Sequence, residues 1–377
     1  MMSVRDVLAW IEDAYPPRLA EDWDRIGLDC GDPHAEVTSV AFAVDPTDAV
    51  VAEAAARGAD LLVTHHPLLL RGVTAVRRDQ PRGRLVMALL RAGIAHVCAH
   101  TNADAASGGV NDALAEALGL TEVRPLEALP ADPLSKIVTF VPESDAERVL
   151  DALADAGAGA IGNYDRCAFV SPGEGRFRPL TGANPHLGTV GEVERVAEVR
   201  VEAVLPRQAK ATVVRALLAA HPYETPAFDL IDLASLDSER GSGRVGVLKE
   251  PLTAEQVARR LAARVPATVG GLRLGGDPAR IVRTVAAVGG AGDSHLDAAR
   301  RAGVDLYVTG DLRHHPASEF LAHDGAPALL DVPHFAAEWL WLPLAERLVR
   351  QRADAAGAAL ATYVSTISTD PWTLRLP

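Results

Sequence analysis

The chain has 377 residues, with 37 basic and 50 acidic side chains and a formal net charge of −13. Apolar residues make up 48% of it, which is ordinary for a globular protein and excludes global disorder, and the length predicts two or three domains. The acidic balance disfavours binding to a nucleic-acid polymer, although it is compatible with a single nucleotide in a locally positive or metal-lined pocket.

The cysteines and the first residues of the chain indicate a cellular location. Cys30, Cys98 and Cys167 are scattered and form no CxxC motif, so we expect a reducing compartment, the cytoplasm. The residues before Pro16 include charged side chains and lack the long apolar region of a signal peptide. No apolar run approaches the roughly 20 residues that a membrane span needs, so we expect no membrane partner.

The first third of the chain alternates strands with helices. Thr47 is a plausible N-cap for the second helix, and Gly119 closes the last one. The predicted elements are helix 4–14, strand 37–45, helix 47–60, strand 61–67, helix 84–94, strand 95–104 and helix 109–120. Such alternation favours a mostly parallel sheet with helices on its faces.

The pattern changes after a stretch at 126–136 that contains two prolines and suggests a linker. Ser144 is a plausible N-cap for the helix that follows. The predicted elements here are strand 136–142, helix 144–158, strand 164–173, strand 196–206, helix 207–222 and strand 227–234. This βαβ–βαβ order is that of a ferredoxin-like module, which we place at residues 132–250.

Alternation resumes in the last third of the chain. The predicted elements are helix 253–266, strand 283–290, helix 294–304, strand 304–311, helix 314–325, strand 327–333 and one long helix over 334–357. We therefore predict that residues 1–131 and 251–377 form one discontinuous α/β domain with a mostly parallel sheet, interrupted by the ferredoxin-like insert. The similarity of LLVTHHP to LYVTGDLRHHP hints at an internal duplication.

Histidines directly follow one predicted strand. Ligands of open α/β sheets bind beyond the carboxyl ends of the strands, and this is where His65 and His66 lie. Adjacent side chains on an extended chain point to opposite sides, so the pair could serve two metal ions. The alternative is a pair of surface histidines in a loop.

Asp104 ends the next strand segment, and in a parallel sheet it can approach the His65–His66 turn. The commoner fate of such an aspartate is a helix N-cap or a turn. The glycine turn at 107–112 could hold an anion at a helix start, although a GG turn is a weak indication.

His334 and Glu338 are spaced i and i+4 at the start of a helix, so both project from one face and can chelate or bridge metal ions. The alternative is a surface polar pair, but the neighbouring residues HFAAEWLWLPL are otherwise apolar, so Glu338 needs a partner.

Together these residues suggest a two-metal hydrolytic site. The candidate ligands are His65, His66, Asp104, His334 and Glu338. Mixed nitrogen and oxygen ligands suit Zn, Fe or Mn, and a carboxylate can bridge two ions about 3.5–4 Å apart. Asp311, His314 and His315 follow another strand and could support the ligands or act as a general acid or base. The alternative for the two histidines is a polar helix start.

Several segments resemble, in order, the signature blocks of one family, the dinuclear-metal toroidal hexamers labelled GTP cyclohydrolase 1 type 2 homologues (YbgI-like). The segments are WDRIGLDCGDP, LLVTHHPLLLRGV, HTNADAASGGVNDALAEALGL, VTGDLRHH and DVPHFAAEW. The segments NYDRCAFVSPGEGRFRPLTGANP and HPYETPAFDL are similar to the insert of the longer members. The resemblance covers nearly the whole chain.

The resemblance implies a ligand assignment and an assembly. His65 and Asp104 would hold one divalent ion, His66 and His334 the other, and Glu338 would bridge both. His100 and His315 match further histidines of the pocket and are the candidate catalytic residues. The α/β domain would form stacked trimers in a homohexamer, with the insert capping the ring. Three positions depart from the family pattern. Pro333 replaces a glycine-like residue and Ala337 replaces a threonine beside the ligands, and His314 stands where an aromatic residue is more usual.

The resemblance also implies a reaction. A metal-bound hydroxide would open the imidazole ring of GTP or of another nucleotide-like small molecule, and Arg71 or Arg313 could meet its phosphates. No P-loop supports a nucleotide independently. The alternative is a non-catalytic metal-handling or regulatory hexamer whose insert binds a small effector. A structural scaffold would not explain five convergent ligands.

Overall fold

The computed structural model describes residues 2–376, which divide into two compact units. The first unit contains residues 1–129 and 239–377, and the second contains residues 130–238. The insert was predicted to extend to residue 250. In the structure residues 239–250 belong to the first unit, because they lie in strand β10 (Asp237–Thr253), which pairs with another strand of that unit.

The elements follow the alternating order expected from the sequence. The helices are α1 (Val4–Ala14), α2 (Asp48–Ala56), α3 (Pro81–Ala92), α4 (Thr101–Ala105), α5 (Val110–Leu118), α6 (Ala146–Asp155), α7 (Lys210–Ala220), α8 (Ala254–Ala262), α9 (Leu296–Arg301), α10 (His314–Leu321), α11 (His334–Trp339) and α12 (Leu342–Ala355). The remaining strands are β1 (Gly27–Cys30), β2 (Ser39–Ala43), β3 (Leu61–Thr64), β4 (Ala95–Cys98), β5 (Leu120–Pro130), β6 (Leu134–Pro142), β7 (Phe169–Phe177), β8 (Glu194–Pro206), β9 (Phe228–Asp232), β11 (Arg273–Gly275), β12 (Ile281–Ala291), β13 (Leu306–Gly310), β14 (Ala328–Asp331) and β15 (Ala361–Val364).

The first unit is an α/β structure with two sheets, which confirms the predicted fold class. One sheet has the order β1-β4-β3-β2-β15, and its strands are parallel except for β1. The other has the order β11-β14-β13-β12-β10-β5, with β14, β13 and β12 parallel at its centre and antiparallel strands beside them. A single mostly parallel sheet was expected, so the division into two sheets and their antiparallel edges are a correction.

Each of the two sheets has an aspartate that accepts hydrogen bonds from two backbone N–H groups of the neighbouring strand. This similarity supports the indication of an internal duplication. Asp60 precedes β3, and its Oδ2 accepts hydrogen bonds from the backbone N–H groups of Thr38 and Ser39. Asp305 precedes β13 in the second sheet, and its Oδ2 accepts from the N–H groups of Arg283 and Thr284. Each aspartate thereby fixes a central strand against its parallel neighbour.

Helix boundaries mostly follow the capping signals in the sequence. Thr47 caps α2 as predicted, with its side chain accepting from the Val50 N–H. Gly119 ends α5 with a positive φ of 75°. Ser144 does not cap α6: a turn of 3₁₀ helix precedes this helix, Asp145 occupies the cap position, and the Ser144 hydroxyl donates to the Asp145 carboxylate.

The long helix predicted over 334–357 is broken into α11 and α12. Pro343 lies in the first turn of α12, where its missing N–H removes a hydrogen bond that a continuous helix would need. Strands β1, β5, β10, β11 and β15 were not predicted, and β5 occupies part of the expected linker at 126–136. Among residues 2–376, we find no helix long and apolar enough to cross a membrane.

The second unit has the predicted β-α-β-β-α-β chain order. Its antiparallel sheet has the order β7-β8-β6-β9. Side chains of α6 and α7 share a buried core with β6 and β8, which includes Val149, Leu153, Val213, Leu217, Ile137 and Val201. The ferredoxin-like classification of this unit stays a prediction.

We predict that Arg244→Met destabilises the first unit by about 1–3 kcal/mol, because the Gly241 and Ala106 carbonyls lose their buried donor and the partly exposed Asp112 carboxylate loses its ion pair. Arg244 is 2% exposed and binds both carboxylate oxygens of Asp112, at 2.6 and 2.8 Å. Urea unfolding followed by tryptophan fluorescence measures this unit, since all five tryptophans belong to it. Arg259→Met, which removes an exposed ion pair with Glu255, should change the free energy of unfolding by at most about 0.5 kcal/mol. Equal effects would contradict the prediction.

Candidate metal centre

The candidate ligands lie where parallel strands of both sheets end. His65 and His66 follow the fully buried strand β3. His100 and Asp104 belong to the turn and short helix after β4, and His334 and Glu338 belong to α11, which follows β14. The fold therefore brings together side chains that are up to 273 positions apart in the sequence, from His65 to Glu338.

The carboxylate of Glu338 is the centre of this cluster. Its Oε1 lies 2.8 Å from the Nε2 of His334 and 3.4 Å from the Nε2 of His65. Its Oε2 lies 3.1 Å from the Nε2 of His66. Asp104 approaches from the side of His65, with Oδ1 3.7 Å from the His65 Nε2. The two oxygens of one carboxylate thus meet histidines from two parts of the chain.

Each histidine is oriented by an oxygen acceptor at its other ring nitrogen. The Nδ1 atoms bind the Ala99 carbonyl for His65 (2.9 Å), Asp45 for His66 (2.7 Å), Asp24 for His100 (2.8 Å) and Asp311 for His334 (2.8 Å). An N–H donated at Nδ1 leaves the Nε2 lone pair free to ligate, which is the usual arrangement at metal sites.

Within the described residues 2–376, three buried atoms of the cluster have no hydrogen-bond partner: His65 Nε2, Asp104 Oδ1 and Glu338 Oε2. Unpartnered polar atoms are costly in a protein interior, and a cation between them would satisfy all three. Among the residues that the structure describes, two groups of side chains could hold a metal ion. They are His65, His66 and His100, and His66, His334 and Glu338, with the ligand atoms of each group within 4.8 Å of one another. The residues present therefore fit a metal.

The sequence analysis predicted that the side chains of His65 and His66 point to opposite sides. This prediction was wrong. The strand ends at Thr64, and the chain bends at the two histidines. The Thr64 hydroxyl donates to the His66 carbonyl at 2.6 Å, and the two rings lie 5.1 Å apart. The strand alternation therefore stops before the pair, and both Nε2 atoms face Glu338.

The electrostatics of the cluster favour positive charge. Burial disfavours the charged form of His66, but the Glu338 carboxylate and the hydrogen bond to Asp45 outweigh it and raise the pKa of His66 to about 11. The same balance, with Asp311 as the partner, raises the pKa of His334 to about 10. Burial opposes ionisation of Glu338, yet the surrounding imidazoles hold its pKa well below the usual range. In the absence of a metal, protons supply the charge that this site requires.

His315 is not brought into the cluster. It lies exposed in the first turn of α10, and its ring packs against that of His314 at 5.1 Å. Asp311, from the same segment, does contact the cluster by its hydrogen bond to His334. Arg313 is paired with Asp293, so its charge is already matched.

Asp24, Asp45 and Gly290 are site residues that the sequence analysis missed. Asp24 and Asp45 lie far from the histidines in sequence and carry no motif that links them. Gly290 is the second-last residue of β12 and has a positive φ of 67°, and a Cβ there would lie 2.5 Å from Glu338 Oε1. The only available signal for it was the Gly289–Gly290 pair at a predicted strand end.

Packing behind the ligands fixes their positions. The buried Trp341 ring contacts the His65 ring at 5.6 Å and the Tyr15 ring at 5.5 Å. Asn111 donates to the Asp104 carbonyl at 2.8 Å and accepts from the Gly289 N–H at 2.8 Å. The ligand-bearing turns are therefore tied to each other as well as to the core.

A cavity of about 790 Å³ opens beside His66 and His334. Its walls include Asp311, Phe335 and Arg273, and residues 369–372 with Leu374 and Arg375 contribute one side. A cavity of this size accommodates a small-molecule substrate next to the cluster.

We predict that Gly290→Ala lowers metal content, because its methyl group would press on the Glu338 carboxylate. Gly303→Ala is the matched control: its φ of 66° imposes the same backbone strain, but nothing lies within 4 Å of the added Cβ. Both variants should lose a similar amount of thermal stability. Elemental analysis after dialysis should show metal loss only in Gly290→Ala. Equal metal retention in both variants would disprove the role of Gly290.

We predict that Zn²⁺ binding to the metal-free protein at pH 7 releases protons. The raised pKa values of His66 and His334 mean that both rings carry a proton at this pH, and a metal must displace it. Metal affinity should therefore increase as the pH rises toward 10. Calorimetric titration in two buffers of different ionisation enthalpy counts the released protons, and the absence of any release would contradict this electrostatic picture.

Comparisons with known proteins agree with this architecture. The family model described as Duf34/NIF3 (NGG1p interacting factor 3) matches residues 2–371. A Mycobacterium tuberculosis protein named GTP cyclohydrolase 1 type 2 homolog is 49% identical over 376 residues, which cover 99% of this chain and 98% of that protein. A Bacillus subtilis protein of the same name is 38% identical over 371 residues, 98% of each chain.

A crystal structure of a Bacillus cereus protein related to NIF3 has 36% sequence identity, covers 99% of both chains and superimposes with a TM-score of 0.81. These matches confirm the resemblance seen in the signature segments. The chain belongs to the Duf34/NIF3 family, whose members include the proteins named GTP cyclohydrolase 1 type 2 homolog.

Proposed function

We propose that the protein is a metal-dependent hydrolase with a two-ion centre, acting on a nucleotide-like small molecule by opening an imidazole ring, as in the GTP cyclohydrolase reaction. The observation that carries the proposal is the buried Glu338 carboxylate, whose two oxygens face different histidines and one of which has no hydrogen-bond partner. The names of the curated relatives support the reaction class.

In this proposal Glu338 would be shared by the two ions. His65 and Asp104 would hold one ion, in keeping with the approach of both to one side of the carboxylate. His66 and His334 would hold the other, and their Nε2 atoms are 3.2 Å apart. The ions, which we take to be Zn, Fe or Mn, would supply Lewis acidity.

His100 is the proposed proton carrier. Its Nδ1 binds Asp24, which also accepts from the Thr101 N–H, so the ring is fixed with Nε2 toward the histidines of the cluster. Burial opposes ionisation of Asp24, but the hydrogen bonds from His100 and Thr101 hold its pKa well below the usual range. Asp24 thus stays charged and keeps a proton on Nδ1, while Nε2 can accept or donate one.

The substrate would occupy the cavity beside His66 and His334. Trp372 offers an exposed ring for a planar base, and Arg375 offers positive charge for an anionic group, whereas Arg273 is already paired with Asp331. Arg375 therefore replaces Arg71 and Arg313 as our proposed contact, because it lines the cavity next to the cluster. We also propose a homohexamer of stacked trimers as the working assembly, which the family resemblance supports.

We predict that Glu338→Gln loses bound metal and lowers kcat at least about 100-fold, since even residues that only support ligands typically contribute 10–100-fold. GTP is the first substrate to test, followed by other purine nucleotides, with metal content measured on the same samples. Glu319→Gln, an exposed change on α10 with the same loss of charge, should behave as wild type. Metal-dependent turnover that is unchanged in Glu338→Gln would rule out this cluster as the site of hydrolysis. The absence of turnover in the metal-loaded wild type would favour a metal-handling protein.

We predict that Asp24→Asn lowers kcat while metal content is retained, because the His100 ring would lose the acceptor that fixes its proton. Steady-state kinetics and elemental analysis on the same samples measure both quantities. An unchanged kcat would show that His100 carries no proton, and metal loss without a kcat effect per bound metal would make His100 a ligand.

A further inference from the structure

A second cavity lies within the second unit, on the sheet face opposite α6 and α7. The strand register places Phe140 beside Arg200, and Gly173 beside Glu198, on this face. Together with the segments 171–179 and 223–225 these side chains enclose about 670 Å³, a volume typical of small-molecule sites. The metal cluster uses none of these residues.

The floor of the cavity is a built carboxylate site. Glu198 is 8% exposed, and its Oε1 accepts a hydrogen bond of 2.6 Å from the Tyr223 hydroxyl. Gly175 makes room for it, because a Cβ there would lie 2.1 Å from Glu198 Oε2. Burying a carboxyl group costs free energy unless hydrogen bonds compensate it. Glu198 is therefore a candidate group for binding a ligand.

A histidine fixes the tyrosine that contacts Glu198. His221 is buried, its Nε2 donates to the Phe140 carbonyl at 2.9 Å, and its Nδ1 accepts from the Tyr223 N–H at 3.1 Å. This accounts for the HPY sequence at 221–223. It also shows that the Tyr223–Glu198 pair is held in place before any ligand arrives.

The walls carry both signs of charge, and two of the cations have no partner among the described residues. Glu174 pairs with Arg195, Glu224 accepts from the Asn184 N–H, and Arg200 pairs with Glu202. Arg176 and Arg178 are exposed and line the same cavity, and within residues 2–376 neither has an ion pair or side-chain hydrogen bond. Phe177, which lies between them in the sequence, lines the cavity as well.

We propose that this cavity binds a small organic anion that has a planar apolar body and an N–H donor. Its anionic group would bind Arg176 and Arg178, its body would pack against Phe140 and Phe177, and its N–H would donate to Glu198. Charge-assisted hydrogen bonds at both ends would fix the orientation of the ligand. The site is independent of the metal centre and of the proposed hydrolysis.

The probe is 8-anilinonaphthalene-1-sulfonate, which combines a sulfonate, planar rings and one N–H. Titration into the full-length protein should give saturable fluorescence. Gly173→Leu should weaken binding at least about 10-fold, because the site of its Cβ is open, with the nearest atom 3.9 Å away, and the side chain would fill the cavity. Arg176→Gln with Arg178→Gln should also weaken it about 10-fold, as expected for a lost charged hydrogen bond.

Arg215→Gln is the control, an exposed change of the same charge on α7 whose side chain contacts Thr212. It should bind the probe as wild type does. Equal affinity in all variants, or no saturable fluorescence, would overturn the proposal. The proposal would also be overturned if Gly173→Leu changed the oligomer mass but still bound the probe, because this face of the sheet would then be an interface between copies of the chain. If Gly173→Leu does not fold, the exposed arginine pair decides the question.

Discussion

The interaction on which the site depends is the burial of the Glu338 carboxylate among three imidazoles. A buried carboxylate is strongly unfavourable unless positive charge compensates it. His65, His66 and His334 supply that compensation when they are protonated, and a metal would supply it when they are not. The position of Glu338, 3% exposed on a short helix against the Trp341 core, leaves it no route to solvent.

The rest of the structure serves to hold these groups in register. The two sheets have the same arrangement of a hydrogen-bonded aspartate before a central strand. Each sheet contributes one set of ligands, and the strand ends of both sheets meet at Glu338. Carboxylates outside the cluster, Asp45 and Asp311, then fix the rings of His66 and His334. Gly290 permits the close approach of β12 to α11 that this convergence requires. The ligand positions are thus set by backbone geometry as well as by side-chain contacts.

Much of this could be predicted from the sequence, where local rules apply. The alternation of elements, the Thr47 cap and the Gly119 stop depend on neighbouring residues, and so does the i,i+4 relation of His334 and Glu338. Edge strands such as β1 and β15 could not be predicted, because short, partly buried segments have no clear periodicity. The break at Pro343 could have been recognised, since proline lacks the N–H that a helix interior needs.

The residues that accept hydrogen bonds from the histidines could not be predicted from the sequence, for a different reason. Asp24 and Asp45 meet the histidines only through the packing of strands that are distant in the chain, and no spacing rule connects them. The turn at His65 and His66 escaped the alternation rule because the strand, predicted over 61–67, ends at Thr64, directly before the pair. Tertiary packing overrode local periodicity in both cases.

The most direct test of the account is anomalous X-ray diffraction from crystals of the protein loaded with Zn²⁺, recorded on both sides of the zinc absorption edge. The account predicts two anomalous peaks about 3.5–4 Å apart, one on each side of the Glu338 carboxylate, with His65 and Asp104 at one and His66 and His334 at the other. A map with no anomalous peak at this cluster, or with a single peak that Glu338 does not touch, would contradict it.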